Sequence, residues 1–587
     1  MTASWTHRTG LAALALVGAC GTSLPGGPGG PGGPGGTTAC TDGVTRCTDN
    51  TLETCAAGVY TPTQACGDAC DPTLGCVTCV PGSAVCTTRG DSRVCRDDGS
   101  GYDDTVCDPV QGVRCEATSG LCEGACAPQN LSTSYIGCEY YPTITGNPVG
   151  STMHFAVAIA NTTRAAANVT IDGGGLTTPV TLTVRANSVE VQTLPWIDAL
   201  KLCSSTATTA TCGGPESYGA LVPDGGYHLR ATQPVTVYQF NPLEYTVNGE
   251  FSFTNDASLL LPVNAWTGSY VVAAWRRSEF APPMTGPSLL AVTASQDDTH
   301  VTIVVTADTI AAGGAPQFIP GVPQTVTLNQ GDVLELASSN AAVVQTSDDL
   351  SGSLVASDKP VQVIGGAFCA FVPNGNVGYC DHLEESMFSV ESLSTRYLVT
   401  APAVQRLPNG KAQVVRIIAT QRNTALTYDP PQAGAATTIA LPGQYVDLVG
   451  VNTDFLITAN HKVLVAQYME GQEAGGNTGD PAMTLAVPVD QYRDEYLFHA
   501  PVNYEQNYVN VTALDGATVK LDGVPVTGFT PIGQTGFGAI RVRLDNTGDG
   551  NHTIKGSDAF GITVYGYGQY TSYGYPGGLD LSFLARP

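Results

Sequence analysis

The distribution of cysteine constrains this chain more than any other feature of its sequence. Fourteen of the 19 cysteines fall between Cys40 and Cys138, and only four are spread over residues 139–587. The early segment is rich in Asp, Gly, Thr and Pro and poor in large apolar side chains. A segment with so little material for a core must be held by cross-links. We therefore predict a small disulfide-rich module, residues 40–138, followed by a larger body, residues 139–587.

The N-terminus predicts export and a lipid anchor. A weakly basic start and a short apolar run end in Val17-Gly18-Ala19-Cys20. Such a run is too short to cross a bilayer and is typical of a secretory signal. Its last four residues resemble a bacterial lipobox, in which the cysteine is acylated; an ordinary signal peptide with a chance cysteine is the alternative. The prediction is a signal peptide (1–19), then an anchor at Cys20 and a solvated Pro/Gly-rich tether (20–39).

The disulfide-rich module contains an internal repeat. Four cysteines return at nearly constant spacing: Cys40, Cys47, Cys55 and Cys66, and then Cys79, Cys86, Cys95 and Cys107. Zinc or redox chemistry at Cys76-Val77-Thr78-Cys79 is an alternative that export disfavours. We expect a stalk or spacer stapled by disulfides, and spacing alone does not assign which cysteines pair.

Residues 139–587 contain a succession of short β-type runs. Apolar and polar residues alternate at 155–160, 181–184 and 414–418, and Asp, Asn and Gly separate the runs. No stretch shows helical periodicity with caps. The predicted fold class is all-β.

The larger body also repeats. Four hairpins end in a similar Val-rich strand, whose equivalent positions are Val235, Val361, Val463 and Ile562. A second signature, consisting of a strand, a tight polar turn and a strand, precedes each one. About four tandem units with six or seven strands each favour β-sandwich-like repeats, and a large β-propeller is the alternative.

Composition excludes several classes of function. The chain carries 51 acidic and 25 basic residues, a formal charge of −26, so it lacks the basic surface that binds nucleic acid. No apolar run after Cys20 approaches the ~18 residues of a membrane helix, so membrane contact is expected through the N-terminal lipid only. Signature motifs of serine hydrolases, zinc proteases and nucleotide-binding enzymes are absent. We therefore predict that the protein is not an enzyme.

Two isolated cysteine pairs lie in the larger body. Cys203 and Cys212 are close in sequence, as are Cys369 and Cys380. Because other cysteines are far away in the chain, each pair is predicted to close a local disulfide.

The residues from Cys380 onward resemble a known family. The elements that carry the resemblance are Cys380-Asp381-His382-Leu383-Glu384, Tyr397, the run RIIATQRNT at 416–424 and the ending VYGYGQYTSYGYPGG at 564–578. In this order they are similar to the IgGFc-binding protein N-terminal domain, over roughly residues 150–580. The resemblance implies a β-rich extracellular binding or matrix domain in a bacterial lipoprotein member. The animal domain is named for affinity to the Fc part of immunoglobulin G, which the resemblance does not extend to this chain.

The densest polar group is Asp381, His382, Glu384 and Glu385. In an extended segment His382 and Glu384 share one face, where they could bind a cation or act as acid and base. The favoured interpretation is structural, a loop fixed by a Cys369–Cys380 bridge with His382 hydrogen-bonded inside it.

Two further segments carry candidate binding groups. The turn at 545–550 (DNTGDG) resembles a calcium loop, but it lacks the Glu of an EF-hand, and Asp and Gly also form ordinary turns. Calcium is the one cofactor left open, with no ligands assigned. The tyrosines of the closing segment could stack on sugars or on a protein, although packing is favoured; they are Tyr565, Tyr567, Tyr570, Tyr573 and Tyr575.

The predicted function is binding or adhesion at the outer membrane or cell surface. A lipid anchor, a tether and a spacer would display a large β-domain at a distance from the membrane, where it can contact a partner. A soluble enzyme would gain nothing from such an arrangement. The expected partner is an extracellular protein or a glycan, engaged by loops and exposed tyrosines. The alternatives are a structural envelope or matrix component and, less favoured, an exported polysaccharide hydrolase.

Overall fold

The structure is a computed structural model that describes residues 40–131, 133–204, 211–212, 217–279, 285–339, 348–404, 410–474 and 476–581. The predicted signal peptide, Cys20 and the tether lie outside these residues. Nearly all of the regular secondary structure in the described chain is antiparallel strand, and its one α-helix is α1 (Asp198–Lys201). The predicted all-β class is confirmed. No helix in this part of the chain is long and apolar enough to cross a membrane.

Contacts divide the chain into two compact units whose residues are interleaved in sequence. The first contains described residues 40–83 and 95–102, and the second contains 84–94 and everything from 103 onward. Within the second unit Asp108 forms an ion pair with Arg230 at 3.2 Å. The later part of the cysteine-rich segment therefore packs on the β-body and belongs to it.

Ten short strands lie in the cysteine-rich segment. They are β1 (Thr45–Thr48), β2 (Thr51–Ala56), β3 (Val59–Ala65), β4 (Ala69–Asp71), β5 (Gly75–Val77), β6 (Ala84–Cys86), β7 (Ser92–Cys95), β8 (Tyr102–Thr105), β9 (Arg114–Cys115) and β10 (Cys122–Glu123).

The disulfides of this segment follow one pairing pattern twice. In each set of six cysteines the first pairs with the third, the second with the fifth and the fourth with the sixth. The bonds are Cys40–Cys55, Cys47–Cys70 and Cys66–Cys76, and then Cys79–Cys95, Cys86–Cys115 and Cys107–Cys122. Cys126 pairs with Cys138 outside the pattern. The repeat noticed from four cysteines thus extends to six.

The remainder of the second unit consists of four structural repeats. Repeat 1 (137–260) contains β11 (Gly137–Tyr140), β12 (Phe155–Asn161), β13 (Ala167–Gly173), β14 (Val180–Val184), β15 (Ser188–Leu194), β16 (Cys203–Ser204), β17 (Thr211–Cys212), β18 (Ala220–Val222), β19 (Tyr227–Asn241), β20 (Thr246–Val247), β21 (Glu250–Phe251) and β22 (Asp256–Leu260). Repeat 2 (267–386) contains β23 (Thr267–Val271), β24 (Ser278–Glu279), β25 (Thr285–Gly286), β26 (Ser288–Ala294), β27 (Thr299–Val304), β28 (Gln324–Leu328), β29 (Val333–Ala337), β30 (Leu354–Ala370) and β31 (Asp381–Ser386).

The last two repeats are shorter. Repeat 3 (394–485) contains β32 (Ser394–Val399), β33 (Gln413–Ala419), β34 (Thr424–Asp429), β35 (Thr438–Ile439), β36 (Tyr445–Val451), β37 (Phe455–Met469) and β38 (Met483–Leu485). Repeat 4 (493–576) contains β39 (Arg493–His499), β40 (Gln506–Leu514), β41 (Val519–Leu521), β42 (Val524–Val526), β43 (Thr530–Pro531), β44 (Phe537–Leu544), β45 (Asn551–Gly568) and β46 (Thr571–Pro576).

One long strand is shared by the two layers of each repeat. In repeat 1 the first half of β19 pairs with β11 and β13, and its second half pairs with β12 and β22. The strands β30, β37 and β45 divide their partners in the same way. Each repeat is therefore built on a curled, sandwich-like sheet of seven or eight strands, as the favoured interpretation expected, and not on the four-stranded blade of a propeller. Strand β18 belongs to the sheet of repeat 2, and the pairs β16–β17, β20–β21 and β24–β25 lie outside the four sheets.

A buried tyrosine fastens the first strand of every repeat to the long strand. The tyrosine hydroxyl accepts a bond from the backbone N–H three residues earlier and donates to a long-strand carbonyl. The four tyrosines and their acceptors are Tyr140 with Val235, Tyr270 with Val361, Tyr397 with Val463, and Tyr496 with Phe560. The position equivalent to Val235 in repeat 4 is thus Phe560, two residues before the predicted Ile562.

The last strands of the four repeats meet at the centre of the domain. Strand β22 lies beside β31 and β46, and β38 lies beside the same two strands. The Asp256 carboxylate, at the start of β22, accepts backbone N–H bonds from all four of them. The donors are Ala257 at 2.9 Å, Met483 at 3.0 Å, Glu384 at 3.1 Å and Gly574 at 3.2 Å. Burial raises the pKa of this carboxyl, and the N–H bonds oppose that shift.

The tyrosine bond of repeat 3 gives the first prediction. Tyr397→Phe leaves the Ser394 N–H and the Val463 carbonyl without their hydroxyl partner in a buried position. We expect the free energy of unfolding to fall by about 2 kcal/mol, measured by denaturant titration. The control is Tyr428→Phe, because that hydroxyl donates to Ala436 at an exposed site, and little change is expected. Equal effects of the two substitutions would contradict the assignment.

The central carboxylate gives the second prediction. Asp256→Asn keeps the size of the side chain but turns an amide NH₂ toward two backbone N–H groups, so we expect a loss of about 3 kcal/mol. The control is Glu385→Gln, because only Oε1 of this buried carboxyl accepts bonds, from Ser258 and Leu259. Its Oε2 has no partner among the described residues, so an amide NH₂ can replace it. Thermal unfolding of both variants tests this, and an Asp256→Asn variant as stable as the parent would refute it.

Candidate functional site

The family-like motif after Cys380 forms strand β31 rather than the expected loop. Asp381, His382, Leu383, Glu384 and Glu385 are all fully buried. The strand is buried because β30 pairs with one edge while β22 and β38 lie against it. The Cys369–Cys380 disulfide closes the loop immediately before the strand. The motif is therefore placed in the interior, where a solvated partner does not reach it.

His382 and Glu384 do share one face, as the extended geometry predicted. Glu384 Oε2 accepts bonds from Thr145 Oγ1 at 2.6 Å and Asn241 Nδ2 at 3.0 Å, and His382 Nε2 lies 3.5 Å away. Glu384 Oε1 accepts from Gln239 Nε2 at 2.8 Å. We call Thr145, Asn241, His382 and Glu384 the buried polar cluster. It joins repeat 1 to repeat 2 through side chains alone.

The other carboxylates of the motif also link repeats. Asp381 Oδ2 accepts from Thr571 Oγ1 and from the Ser572 N–H, both at 3.0 Å, which ties repeat 2 to repeat 4. Burial raises the pKa of Asp381 and of Glu385. Within the described residues no group of three or more His, Cys, Asp or Glu side chains is arranged to hold a metal ion. The geometry thus favours the structural interpretation of this motif.

Arg416, from the second family-like run, is a buried cation that connects repeats 2 and 3. Its guanidinium binds Asp447 through two bonds of 2.8 Å and Asp349 through one of 2.7 Å. The guanidinium also lies over the rings of Tyr445, at 3.9 Å, and Trp275, at 4.7 Å. Such a fork of donors between two carboxylates fixes the register of the two repeats. Asp349 of repeat 2 is therefore one of the two carboxylates that hold the Arg416 guanidinium.

The remaining sequence candidates have structural roles, with one exception. Asp545 accepts bonds from the Thr547 hydroxyl and the Thr547 N–H, and Asp549 accepts the Asn551 N–H, so the calcium-like segment forms ordinary Asp-capped turns, and these bonds lower both pKa values. Four of the closing tyrosines are buried, namely Tyr565, Tyr567, Tyr573 and Tyr575. Cys203 and Cys212 are bonded to each other. The exception is Tyr570, which is partly exposed.

Tyr570 belongs to a row of aromatic rings on the surface. The row runs from Phe251 to Phe253, Tyr570 and Tyr379, with ring centres 6.0, 5.9 and 4.5 Å apart. Phe251, Phe253 and Tyr379 are each 46 to 49% exposed. We call these four residues the aromatic loop face. Large apolar rings at this exposure, in mutual contact, are typical of an interaction surface.

The fold brings these rings together from three repeats. They lie in loops that join a long strand to a central strand: 242–255 in repeat 1, 371–380 in repeat 2 and 569–570 in repeat 4. The corresponding loop of repeat 3, 470–482, supports them, because Gln472 Oε1 accepts the Tyr570 N–H and Glu473 Oε2 accepts the Gly378 N–H. Sequence reasoning selected Tyr570 but missed Phe251, Phe253 and Tyr379, whose loops are far apart in the chain.

The surroundings of the aromatic loop face are acidic. The four loops contain five Asp or Glu residues and no Lys or Arg; Glu470 and Asp480 are buried, and Glu244 lies 2.7 Å from His154. Glu250 and Glu473 are exposed, and Glu505 accepts a bond from the Tyr245 hydroxyl, whose ring lies 5.3 Å from Phe251. Neighbouring Tyr570 raises the pKa of Tyr379, and Glu473 adds to this shift. The face therefore offers aromatic rings and negative charge to a partner.

A groove of about 870 Å³ also opens in the second unit, beside β19. Its charged lining is paired: His228 Nε2 lies 2.8 Å from Glu139, and Arg230 binds Asp108. The His228 ring stacks on Tyr141 with 4.6 Å between centres. Because these charges satisfy one another, the groove is a weaker candidate than the aromatic loop face.

Comparison with known proteins agrees with the motifs of β31 and β33. A family model described as "IgGFc binding protein" matches residues 256–566, more than half of the chain and a narrower span than the expected 150–580. The human "IgGFc-binding protein" is 26% identical over 255 residues, which are 41% of this chain and only 4% of the human protein. No solved structure matches the chain. On the strength of the family match, the chain belongs to the IgGFc-binding protein family.

Proposed function

We propose that the protein is an extracellular binding protein that holds a protein partner on the aromatic loop face. The observation that supports this is the contact row of Phe251, Phe253, Tyr570 and Tyr379 on loops from three repeats. Aromatic anchors of this kind carry most of the binding energy at protein interfaces. Loops on a rigid β-scaffold are also the usual carriers of recognition.

The charge of the face supports a partner rich in Lys and Arg. Exposed Glu250 and Glu473 flank rings whose faces attract cations. The chain as a whole carries a formal charge of −26, which steers positively charged proteins toward it. Membership of the family suggests a binding role without catalysis, and the immunoglobulin Fc fragment is one candidate among many.

The binding test compares matched variants of the full chain. Phe251→Ala with Phe253→Ala removes two rings, and we expect affinity for cationic extracellular proteins on a protein array to fall by at least ~10-fold. Val524→Ala, an exposed apolar residue outside the four loops, is the control and should bind as the parent does. Rising salt should weaken the parent's binding.

Two outcomes would overturn this proposal. Binding that survives loss of both rings would place the site elsewhere. Binding to glycans alone, on a parallel glycan array, would replace the protein partner with a carbohydrate.

The display of this domain is a second part of the proposal. Acylation of Cys20, followed by the tether at 25–36 and the disulfide spacer, would hold the binding loops away from an outer membrane or cell surface. Cys20→Ala should abolish incorporation of a fatty-acid analogue and release the mature protein from the membrane fraction. Unchanged labelling and retention of the variant would show that Cys20 is not the anchor.

A further inference from the structure

The buried polar cluster brings together four groups with complementary reactivity. Thr145 Oγ1 donates to Glu384 Oε2 at 2.6 Å and lies 3.1 Å from Asn241 Nδ2. His382 Nε2 lies 3.2 Å from the same amide nitrogen and 3.3 Å from the hydroxyl. All four side chains are at most 2% exposed. A hydroxyl, a carboxylate base, a carboxamide and an imidazole therefore share one dry site.

The side-chain amide nitrogen of Asn241 has more neighbouring polar groups than its two hydrogens can bond. Its Nδ2 atom has two hydrogens but lies within 3.2 Å of four groups: Thr145 O, Thr145 Oγ1, His382 Nε2 and Glu384 Oε2. On the other side, Asn147 Nδ2 lies 3.2 Å from Asn241 Oδ1, and it also donates to the backbone carbonyls of Asn241 at 2.9 Å and Thr254 at 2.8 Å. His382 Nδ1 is buried with no partner among the described residues. A side-chain carbonyl beside an amide donor, and an imidazole whose second nitrogen has no hydrogen-bond partner, are suited to an acyl-transfer reaction.

We propose that Thr145 and Asn241 join in an intramolecular ester cross-link. Glu384 takes the Thr145 hydroxyl proton, and Oγ1 attacks Cγ of Asn241, where Asn147 stabilises the negative charge that develops on Oδ1. The Cγ–Nδ2 bond breaks, and His382 relays the proton to the nitrogen, which leaves as ammonia. One C–O bond forms, one C–N bond breaks and no oxidant is required. Burial keeps water from competing for the acyl carbon.

The cross-link would fasten the segment before β12 to the end of β19. Thr145 precedes β12, while Asn241 ends the long strand of repeat 1 at the start of the loop that carries Phe251 and Phe253. His382 and Glu384 come from repeat 2, so the site is complete only when the two repeats are docked. Thr145 and Asn241 lie outside the family-matched residues 256–566, whereas His382 and Glu384 lie inside them.

Mass spectrometry of the full folded chain tests the proposal directly. We expect an intact mass below that of the disulfide-bonded sequence by one ammonia molecule. Proteolysis should release a branched peptide containing Thr145 and Asn241, and hydroxylamine should split it because an ester is labile. Alkaline hydrolysis in ¹⁸O-water should leave a labelled Asp at position 241.

Variants assign the roles. The intact masses of Thr145→Val and Glu384→Gln should show no loss of ammonia. The control Thr143→Val should show the same loss as the parent, because Thr143 Oγ1 contacts Thr293 and not Glu384. An unreacted parent, with separate Thr145 and Asn241 peptides, overturns the proposal whether or not any variant folds. A branched peptide that persists in Thr145→Val would also overturn it, since another hydroxyl would then be the nucleophile.

Discussion

The Asp256 carboxylate is the constraint on which the arrangement of the four repeats depends. One side chain of repeat 1 receives backbone N–H bonds from the central strands of repeats 2, 3 and 4 as well as from its own. A buried carboxylate is stabilised only when its oxygens are fully bonded. Asp256 therefore penalises any arrangement in which one repeat is absent or shifted. The repeats resemble separate sandwiches, but their last strands are completed only together.

Much of the fold was readable from local pattern, and the rest required contacts between distant residues. Period-two alternation locates strands such as β12 and β33. The Val-rich pattern correctly aligns the long strands of repeats 1, 2 and 3 with one another. The alignment predicted for repeat 4 differs from the structure by two residues because Ile562, like Val463, is β-branched and apolar, whereas the Tyr496 hydroxyl bonds to Phe560. The four tyrosines are themselves a sequence signal, since each lies in a short strand that precedes the strand–turn–strand signature of its repeat.

The candidate site was harder to predict for a physical reason. The motif 381–385 has polar residues on both faces of β31, so it lacks the apolar–polar alternation that predicts a strand. Its composition is that of an exposed loop, although the strand is buried. Its partners, Thr145, Asn241 and Asp256, are more than a hundred residues away in sequence. The surface rings pose the opposite problem, because Phe251 and Tyr379 look like core residues until the loops are placed. In this protein the interior between repeats is charged and the candidate binding face is aromatic.

The disulfide pattern of the cysteine-rich segment has a consequence for how such chains vary. Each set of six cysteines, from Cys40 to Cys76 and from Cys79 to Cys122, pairs entirely within itself. A set can therefore be duplicated or deleted in the gene without leaving any cysteine unpaired in its neighbours. The number of such cross-linked sets is then a quantity that evolution can adjust in whole steps, while the cysteine pairing of every other part stays the same.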